Sequence, residues 1–379
     1  MVTFPFERLR RFPDIEGAGL VASDAADRLI LDESAAARAG IRAGDTVVIS
    51  DAYGALALGA AWDAGAGDGA ERIRVHQDAL TGERALAENA ARLDLEGRVV
   101  SLAELDASLL RGARLVLLRL PRSLDTLRDI AGLIAAHADR DVVVYAGGRI
   151  KHMSVAMNDV LAEAFDRVDV THARQKSRVL VARTPRVGWE PVPAAGRDEG
   201  VELRAFGGTF GGARLDHGTR LLLAHLPADL AGGAADDPLV DLACGNGSVG
   251  AWLALRHPAA EIWSSDQSAS AVASARATAD ANGVGDRMRV VRDDLLTLRP
   301  DASASFVALN PPFHSGAAVT DQIAPRMFAD IARVLRPGGE LWCVWNSPLR
   351  YRPALERIIG PTRQVARDAR FTVTVSTRR

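Results

Sequence analysis

The second half of the chain carries two alternating hydrophobic rhythms. Short apolar runs, LVDLA (239–243), AEIWSSD (260–266), MRVVRDD (288–294), SFVALN (305–310) and ELWCVW (340–345), have the length of buried strands. Helical segments separate some of them. SASAVASARATADANG (268–283) is alanine-rich and stops at Asn-Gly. Residues 320–336 set Ile323, Met327, Phe328, Ile331, Val334 and Leu335 on one helical face and halt at RPGG. FTVTVST (371–377) alternates with period two and predicts a final antiparallel strand. Strands alternating with helices predict an α/β fold, with a largely parallel sheet covered on both faces.

The first half repeats this plan in a worn form. TVVISDAYGALALG (46–59) overlays LVDLACGNGSVG (239–250) with Gly54 on Gly245 and Gly59 on Gly250. ARLVLLRLPR (113–122) falls on ASFVALNPPF (304–313), DVVVYAGG (141–148) near GELWCVWN (339–346), and SRVLVART (177–184) on ARFTVTVSTR (369–378). Between the halves, TPRVGWEPVPAAGRDEG (184–200) has frequent breakers and no apolar period, which predicts a linker.

Composition narrows the class. A length of 379 residues allows two domains, each with its own core. A net charge of −2 rules out a uniformly basic nucleic-acid binder and leaves local patches to consider. Two cysteines without a CxxC pair argue against a zinc site or a disulfide framework and suit a reducing compartment. MVTFPFERLRRFPD lacks the apolar stretch of a secretory signal, and no run of 18 apolar residues is present. A cytoplasmic protein with no membrane partner is expected.

Chemistry gathers at the predicted strand ends of the second half. DLACGNGSVG places Gly245, Gly247 and Gly250 as G-x-G-x-x-G directly after a strand, where backbone can approach a ligand at a helix N-terminus. Taken alone this also describes an ordinary tight turn. Asp266 ends the next strand, 25 residues after Asp241, where a carboxylate can accept ribose hydroxyls. Asp293 and Asp294 end the third, within reach of an adenine edge, and Asp294 is the preferred one. The fourth run ends in the rigid corner Asn310, Pro311, Pro312, Phe313. A nicotinamide enzyme would share the glycines and the acid but has no use for that corner.

The set DLACGNGSVG, Asp266, Asp294 and NPPF resembles a class I S-adenosylmethionine-dependent methyltransferase acting on an amino group. GTFGGARLDHGTRLLLAHLP (208–227), NPPFHSGAAVTDQIAPRMF (310–328) and GGELWCVWNSPLRY (338–351) narrow it. They are similar to the bacterial ribosomal RNA guanine-N2 methyltransferases with two tandem domains. The resemblance spans most of the chain. It is stronger over 206–378 than over 1–183, where RQKSRVLVA (174–182) matches best.

This resemblance implies two tandem Rossmann-like methyltransferase folds. A degenerate one occupies 1–183. After the linker, a catalytic one occupies 201–379, with a seven-stranded, mostly parallel sheet. It implies that Asp216, Asp241, Cys244, Gly245, Asn246, Gly247, Asp266, Asp294 and Asn310 hold S-adenosylmethionine. Asp216 reads equally as the N-cap of TRLLLAHL, and Cys244 as a small filler of the loop rather than a nucleophile. Asn310, Pro311, Pro312 and Phe313 would form the catalytic corner, with no metal.

An amine conjugated to a base is a poor nucleophile, because its lone pair is delocalised. Acceptance of its two N–H bonds by Asn310 Oδ1 and the Pro311 carbonyl would free that pair, while Phe313 stacks on the base. His314 would touch RNA or be a plain polar loop residue. The base would have to leave its stack to get there.

In the first half the overlay puts Ser50 on Asp241, Leu56 on Gly247, Arg119 on Asn310 and Arg122 on Phe313. Arginine cannot accept a hydrogen bond, so this half is expected to bind no cofactor. Its part would be to stabilise the second half or to grip RNA. Arg174, Lys176, Arg178, Arg183 and Arg186, with no acid among them, read as a phosphate strip or as a solvated strand edge. Residues 321–379 hold eleven Arg against five Asp plus Glu, a balance of +6 that suits an RNA partner.

The expectation is a monomeric methyltransferase acting on a guanine of ribosomal RNA, as RNA or as a ribosomal subunit. The wording CGNG and FHSGAAVTD leans to the large subunit. The rivals are an enzyme acting on adenine N6 or a glutamine amide, and a non-catalytic assembly factor.

Overall fold

The computed structural model describes residues 3–64, 71–312 and 317–379. It divides into two compact units, Met1–Val192 and Pro193–Arg379. The first contains β1 (Thr46–Ile49), β2 (Ile73–His76), β3 (Val99–Ser101), β4 (Leu115–Arg119), β5 (Val143–Arg149), β6 (Phe165–Val170) and β7 (Ser177–Pro185). Its helices are α1 (Ala25–Ala39), α2 (Ala55–Asp63), α3 (Leu80–Arg92), α4 (Ala107–Leu110), α5 (Leu124–His137) and α6 (Ala156–Ala164). The second opens with a hairpin of β8 (Ala194–Asp198) and β9 (Val201–Ala205), then α7 (His217–Leu223). It continues through β10 (Leu239–Leu242), β11 (Ile262–Asp266), β12 (Met288–Arg292), β13 (Ala304–Leu309), β14 (Leu335–Asn346), β15 (Thr362–Arg367) and β16 (Phe371–Thr377). Its remaining helices are α8 (Ser248–Arg256), α9 (Ala269–Ala281), α10 (Ala317–Val334) and α11 (Arg352–Ile358).

The two seven-stranded sheets share one strand order, β3-β2-β1-β4-β5-β7-β6 and β12-β11-β10-β13-β14-β16-β15. In each, the first five strands are parallel, the sixth, β7 or β16, runs against them, and the edge strand, β6 or β15, is antiparallel to the sixth. Alternation along each strand builds two cores, one per sheet face. Leu239, Ile262, Phe306 and Ala308 join one, while Val240, Trp263, Val307 and Leu309 join the other. In the first unit Val48, Leu115 and Leu117 face one way, and Val47, Ile49, Val116 and Leu118 the other. The order reverses at β1 and at β10, so each sheet opens a crevice beyond the carboxyl ends of its central strands.

The stretch 184–200 carries more structure than its breakers suggest. β7 runs through Pro185, and the half-buried Trp189 packs against the core around α5. From Ala194 the chain is already in the β8–β9 hairpin, whose Val201 and Leu203 are buried in the second unit. Prolines and glycines mark the turns there, but burial of three side chains, Val201, Leu203 and Ala205, is too short a signal to read as a strand.

The overlay of the two halves also needs correction. The loop after β1 takes positive φ at Ser50, Ala52 and Gly54, and the loop after β10 does so at Ala243, Gly245 and Gly247. Gly54 and Gly247 are the left-handed N-caps of α2 and α8. Gly54 therefore corresponds to Gly247, two positions from the sequence overlay. Val48, not Ser50, answers to Asp241, and Leu56 answers to Val249 rather than Gly247. At the fourth strand the overlay holds. Leu118 pairs with Ile49 and Leu309 with Leu242, so Arg119 and Asn310 are each the next residue.

Candidate functional site

The second crevice is lined by the loops that follow β10, β11, β12 and β13, with the start of α7 beside them. After β10 the chain must turn at once into α8. Gly247 at φ +76° makes the turn, and a Cβ there would lie 2.8 Å from the Ala275 backbone of α9. At Gly250 a Cβ would meet Ser264 Oγ at 2.4 Å, so α8 packs against β11 only with glycine there.

Asp241 is buried in β10, and its Oδ2 accepts from Gly250 N at 2.9 Å. Burial pushes its pKa up to about 7, and the charge of Asp266 adds to that, against the pull of the Gly250 N–H. Its carboxylate thus bonds the first turn of α8. Cys244 is buried, and burial holds its thiol well above the usual range, which suits a filler and not a nucleophile. Asn246 is buried with its amide committed to protein: Nδ2 donates to Gly212 O at 2.8 Å and Arg214 O at 3.1 Å, and Oδ1 accepts from Ser248 N. It ties the loop before α7 to the glycine turn.

Asp266 ends β11 half-buried. Its carboxylate accepts from Gly245 N at 3.0 Å and Ser268 N at 2.9 Å, which links the glycine turn to the cap of α9. Asp293 and Asp294 separate after β12. Asp293 folds inward and accepts from Thr297 Oγ1 and from Leu298 N at 2.8 Å. Asp294 faces Arg326 of α10 at 3.9 Å.

Asn310 stands one residue past β13. Its Nδ2 donates to Thr219 Oγ1 at 2.9 Å and to Asp216 Oδ2 at 3.2 Å. Asp216 is the N-cap of α7, with the same Oδ2 accepting from Gly218 N and Thr219 N. A carboxylate only accepts, so the NH2 end of the amide must face it. Oδ1 is thereby turned the other way. It is buried, and no donor among the described residues reaches it. A buried amide oxygen without a donor costs on the order of 1–3 kcal/mol, and this one is free to accept an N–H. Pro311 is buried and Pro312 exposed. Phe313 and His314 lie outside the described residues.

Thr219 escaped sequence reading. Its only signal was the spacing D-x-x-T, Asp216 to Thr219, which reads as an N-terminal helix turn.

The crevice of the first unit is narrowed by its own side chains, and a cavity of about 220 Å³ remains between Ser50, Tyr53, Gln77 and Gly82. Asp51 accepts from Leu56 N at 2.7 Å and Ala57 N at 2.8 Å and so takes up the first turn of α2. Tyr53 donates to Asp14 beside it, and Arg11 lies over the Tyr53 ring. Asn89 holds the Arg10 backbone in both directions, at 2.9 and 2.8 Å. Arg119 binds Asp24 and Asp27, the N-cap and third residue of α1. Three of the five cations in the strip proposed from sequence have acidic partners on the partly exposed surface. Arg174 pairs with Asp32, Arg183 with Asp169 and Arg186 with Asp166. The acids come from other segments and could not be seen locally.

Burial pushes the Asp51 pKa up to about 8 against the pull of its two backbone N–H partners. The protonated form is thus favoured in the fold. Its stabilising share is whole below an unfolded pKa of about 4 and is lost as pH rises through about 8. Asp241 follows the same sign up to about 7. The melting temperature is expected to fall between pH 5 and pH 9 in scanning calorimetry. Asp51→Asn, with no charge to bury, should flatten that fall. An unchanged slope would remove Asp51 as its source.

Among the described residues, no helix is long and apolar enough to cross a membrane, and no three His, Cys, Asp or Glu are grouped to hold a metal ion.

Comparison with known proteins places both units. The methyltransferase small domain matches residues 200–375, and the RLMG N-terminal domain matches residues 2–186. The chain is 35% identical over 376 residues to ribosomal RNA large subunit methyltransferase G of Streptomyces avermitilis, covering 96% of this chain and 95% of that one. It is 33% identical to the same-named protein of Pseudomonas aeruginosa, with 97% of each covered. Among solved structures, the T. thermophilus 16S rRNA N2 G1207 methyltransferase in complex with AdoMet and guanosine aligns over 94% of this chain and 92% of that one, with a TM-score of 0.72 at 20% identity. That likeness is one of fold.

Proposed function

Because the chain belongs to the ribosomal RNA large subunit methyltransferase G family, we propose that it methylates the exocyclic N2 amine of a guanine in large-subunit ribosomal RNA. The family makes it an S-adenosylmethionine-dependent ribosomal RNA methyltransferase. The N2 atom and the work of each residue are our reading. The observation that carries it is Asn310 Oδ1, a buried acceptor held away from protein donors. The relative solved with AdoMet and guanosine supports the same pairing of cofactor and base. A cytoplasmic place of action follows from the substrate.

The residues present fit the cofactor. The glycine turn gives close backbone approach, Asp266 can accept ribose hydroxyls, and Asp294 can meet the adenine edge. S-adenosylmethionine, when bound, supplies an electrophilic methyl group on a sulfonium sulfur. The protein prepares the amine. Asn310 Oδ1 accepts one N–H and the Pro311 carbonyl the other, so the nitrogen can pyramidalise and direct its lone pair outward. The prolines keep both acceptors still and bring no N–H of their own. Phe313 stacks on the base, which has left its helix to enter. Orientation is then the main source of rate. The +6 balance of 321–379 suits an RNA partner.

The test uses radiolabelled S-adenosylmethionine, the purified protein and ribosomal RNA or subunits from cells lacking it, followed by nucleoside analysis. Label in N2-methylguanosine is expected. Label in N6-methyladenosine would overturn the base, label in a protein glutamine the substrate class, and a bound cofactor with no transfer would point to an assembly factor.

A further inference from the structure

An amide is nearly symmetric in shape, so something must decide which of its ends faces the substrate. At Asn310 the deciding groups are on α7. Thr219 Oγ1 and Asp216 Oδ2 both receive Nδ2, at 2.9 and 3.2 Å. A flipped amide would set Oδ1 against a carboxylate and leave a donor where the amine must donate. Resting on the methyl-transfer reading, we infer that Thr219 and Asp216 are positioning residues that lock Asn310 with its oxygen toward the substrate amine and polarise it.

The polarisation follows from the charge. A carboxylate behind the NH2 end draws electron density through the amide toward Oδ1, because hydrogen bonds in a chain strengthen one another. The amine nitrogen gains positive charge as it is alkylated. A more negative Oδ1 stabilises that charge as it develops, without rearrangement.

The same chain carries an internal comparison. In the first unit Arg119 holds the register of Asn310, and α1 begins with an Asp24 cap as α7 begins with Asp216. Three residues after each cap stand Asp27 and Thr219. Both pairs reach the residue at the strand end. Where the strand end is a cation, both helix residues are acids. Where it is an amide, one is a hydroxyl, which accepts from Nδ2 without adding a second charge.

The test is steady-state kinetics on the full chain with large-subunit RNA or subunits, beside calorimetric binding of S-adenosylmethionine. Thr219→Val keeps the shape and the backbone N–H that Asp216 caps. It is expected to lower kcat about tenfold, the worth of one hydrogen bond, while RNA KM and cofactor affinity stay within about twofold. Thr219→Ser restores the hydroxyl and should restore most of kcat. Thr219→Ala removes it without bulk and should match Val, which separates the effect from misfolding. Wild-type kcat in Val and Ala would overturn the inference, as would Ser no better than Ala. Full activity of Asn310→Ala would instead overturn the reading on which it rests.

Discussion

Asn310→Ala loses methyl transfer and keeps its cofactor. The substitution removes the buried Oδ1 that accepts the substrate N–H and the Nδ2 that binds Thr219 and Asp216. The amine lone pair then stays delocalised in the ring. By analogy with loss of one preorganised group at a reacting centre, kcat should fall on the order of 10²–10³-fold or more. The glycine turn, Asp266 and Asp294 are untouched, so S-adenosylmethionine should bind within about threefold of wild type in calorimetry. Asp216 still caps α7, and the fold should lose only about 1 kcal/mol. Equal loss of binding and turnover would mean that Asn310 serves the cofactor and not the amine.

The same position in the first unit predicts the opposite outcome. Arg119→Ala leaves Asp24 and Asp27 facing one another without their bonded cation, with the charge of Arg149 still acting on Asp24. Asp27 is 7% exposed at its side chain and Asp24 29%. Arg119 holds Asp24 below its ordinary pKa, outweighing the burial that would raise it. Removing one partner of a buried group of charges costs about 3–5 kcal/mol, and the partial exposure of Asp24 favours the lower end. Chemical denaturation at pH 7 should show this loss in the first unit. Because protonation relieves two stranded carboxylates, the loss should shrink toward pH 4. A change below about 1 kcal/mol at pH 7 would mean that water replaces the arginine at little cost.

The sequence made the second sheet readable because its signals are local. Five apolar runs, a glycine turn and RPGG lie where β10 to β14 begin and end. Geometry across the chain was less visible. The two-residue slip in the overlay arose because glycines were matched to glycines. The loop is defined instead by three positive-φ positions, two of which in the first unit are Ser50 and Ala52. The acids beside the basic strip were out of view for a related reason, since they lie in other segments. Asp241 and Asn246 sat within a motif that suggested cofactor contact, and nothing local showed that Asp241 accepts from α8 or that Asn246 reaches the loop before α7. Thr219 carried no motif, because its importance comes from a strand end 91 residues away.

The Arg119 cluster also bears on ancestry. A site regains old chemistry only if each intermediate sequence survives. Exchange of Arg119 for asparagine alone strands two acids, and exchange of Asp27 alone halves the arginine's company. Each single step back toward the Asn310 arrangement is therefore expected to lower stability. Mutation can wander freely on the rim of that crevice, but at its centre the three residues act as a ratchet. A route back would have to exchange Arg119 and Asp27 together.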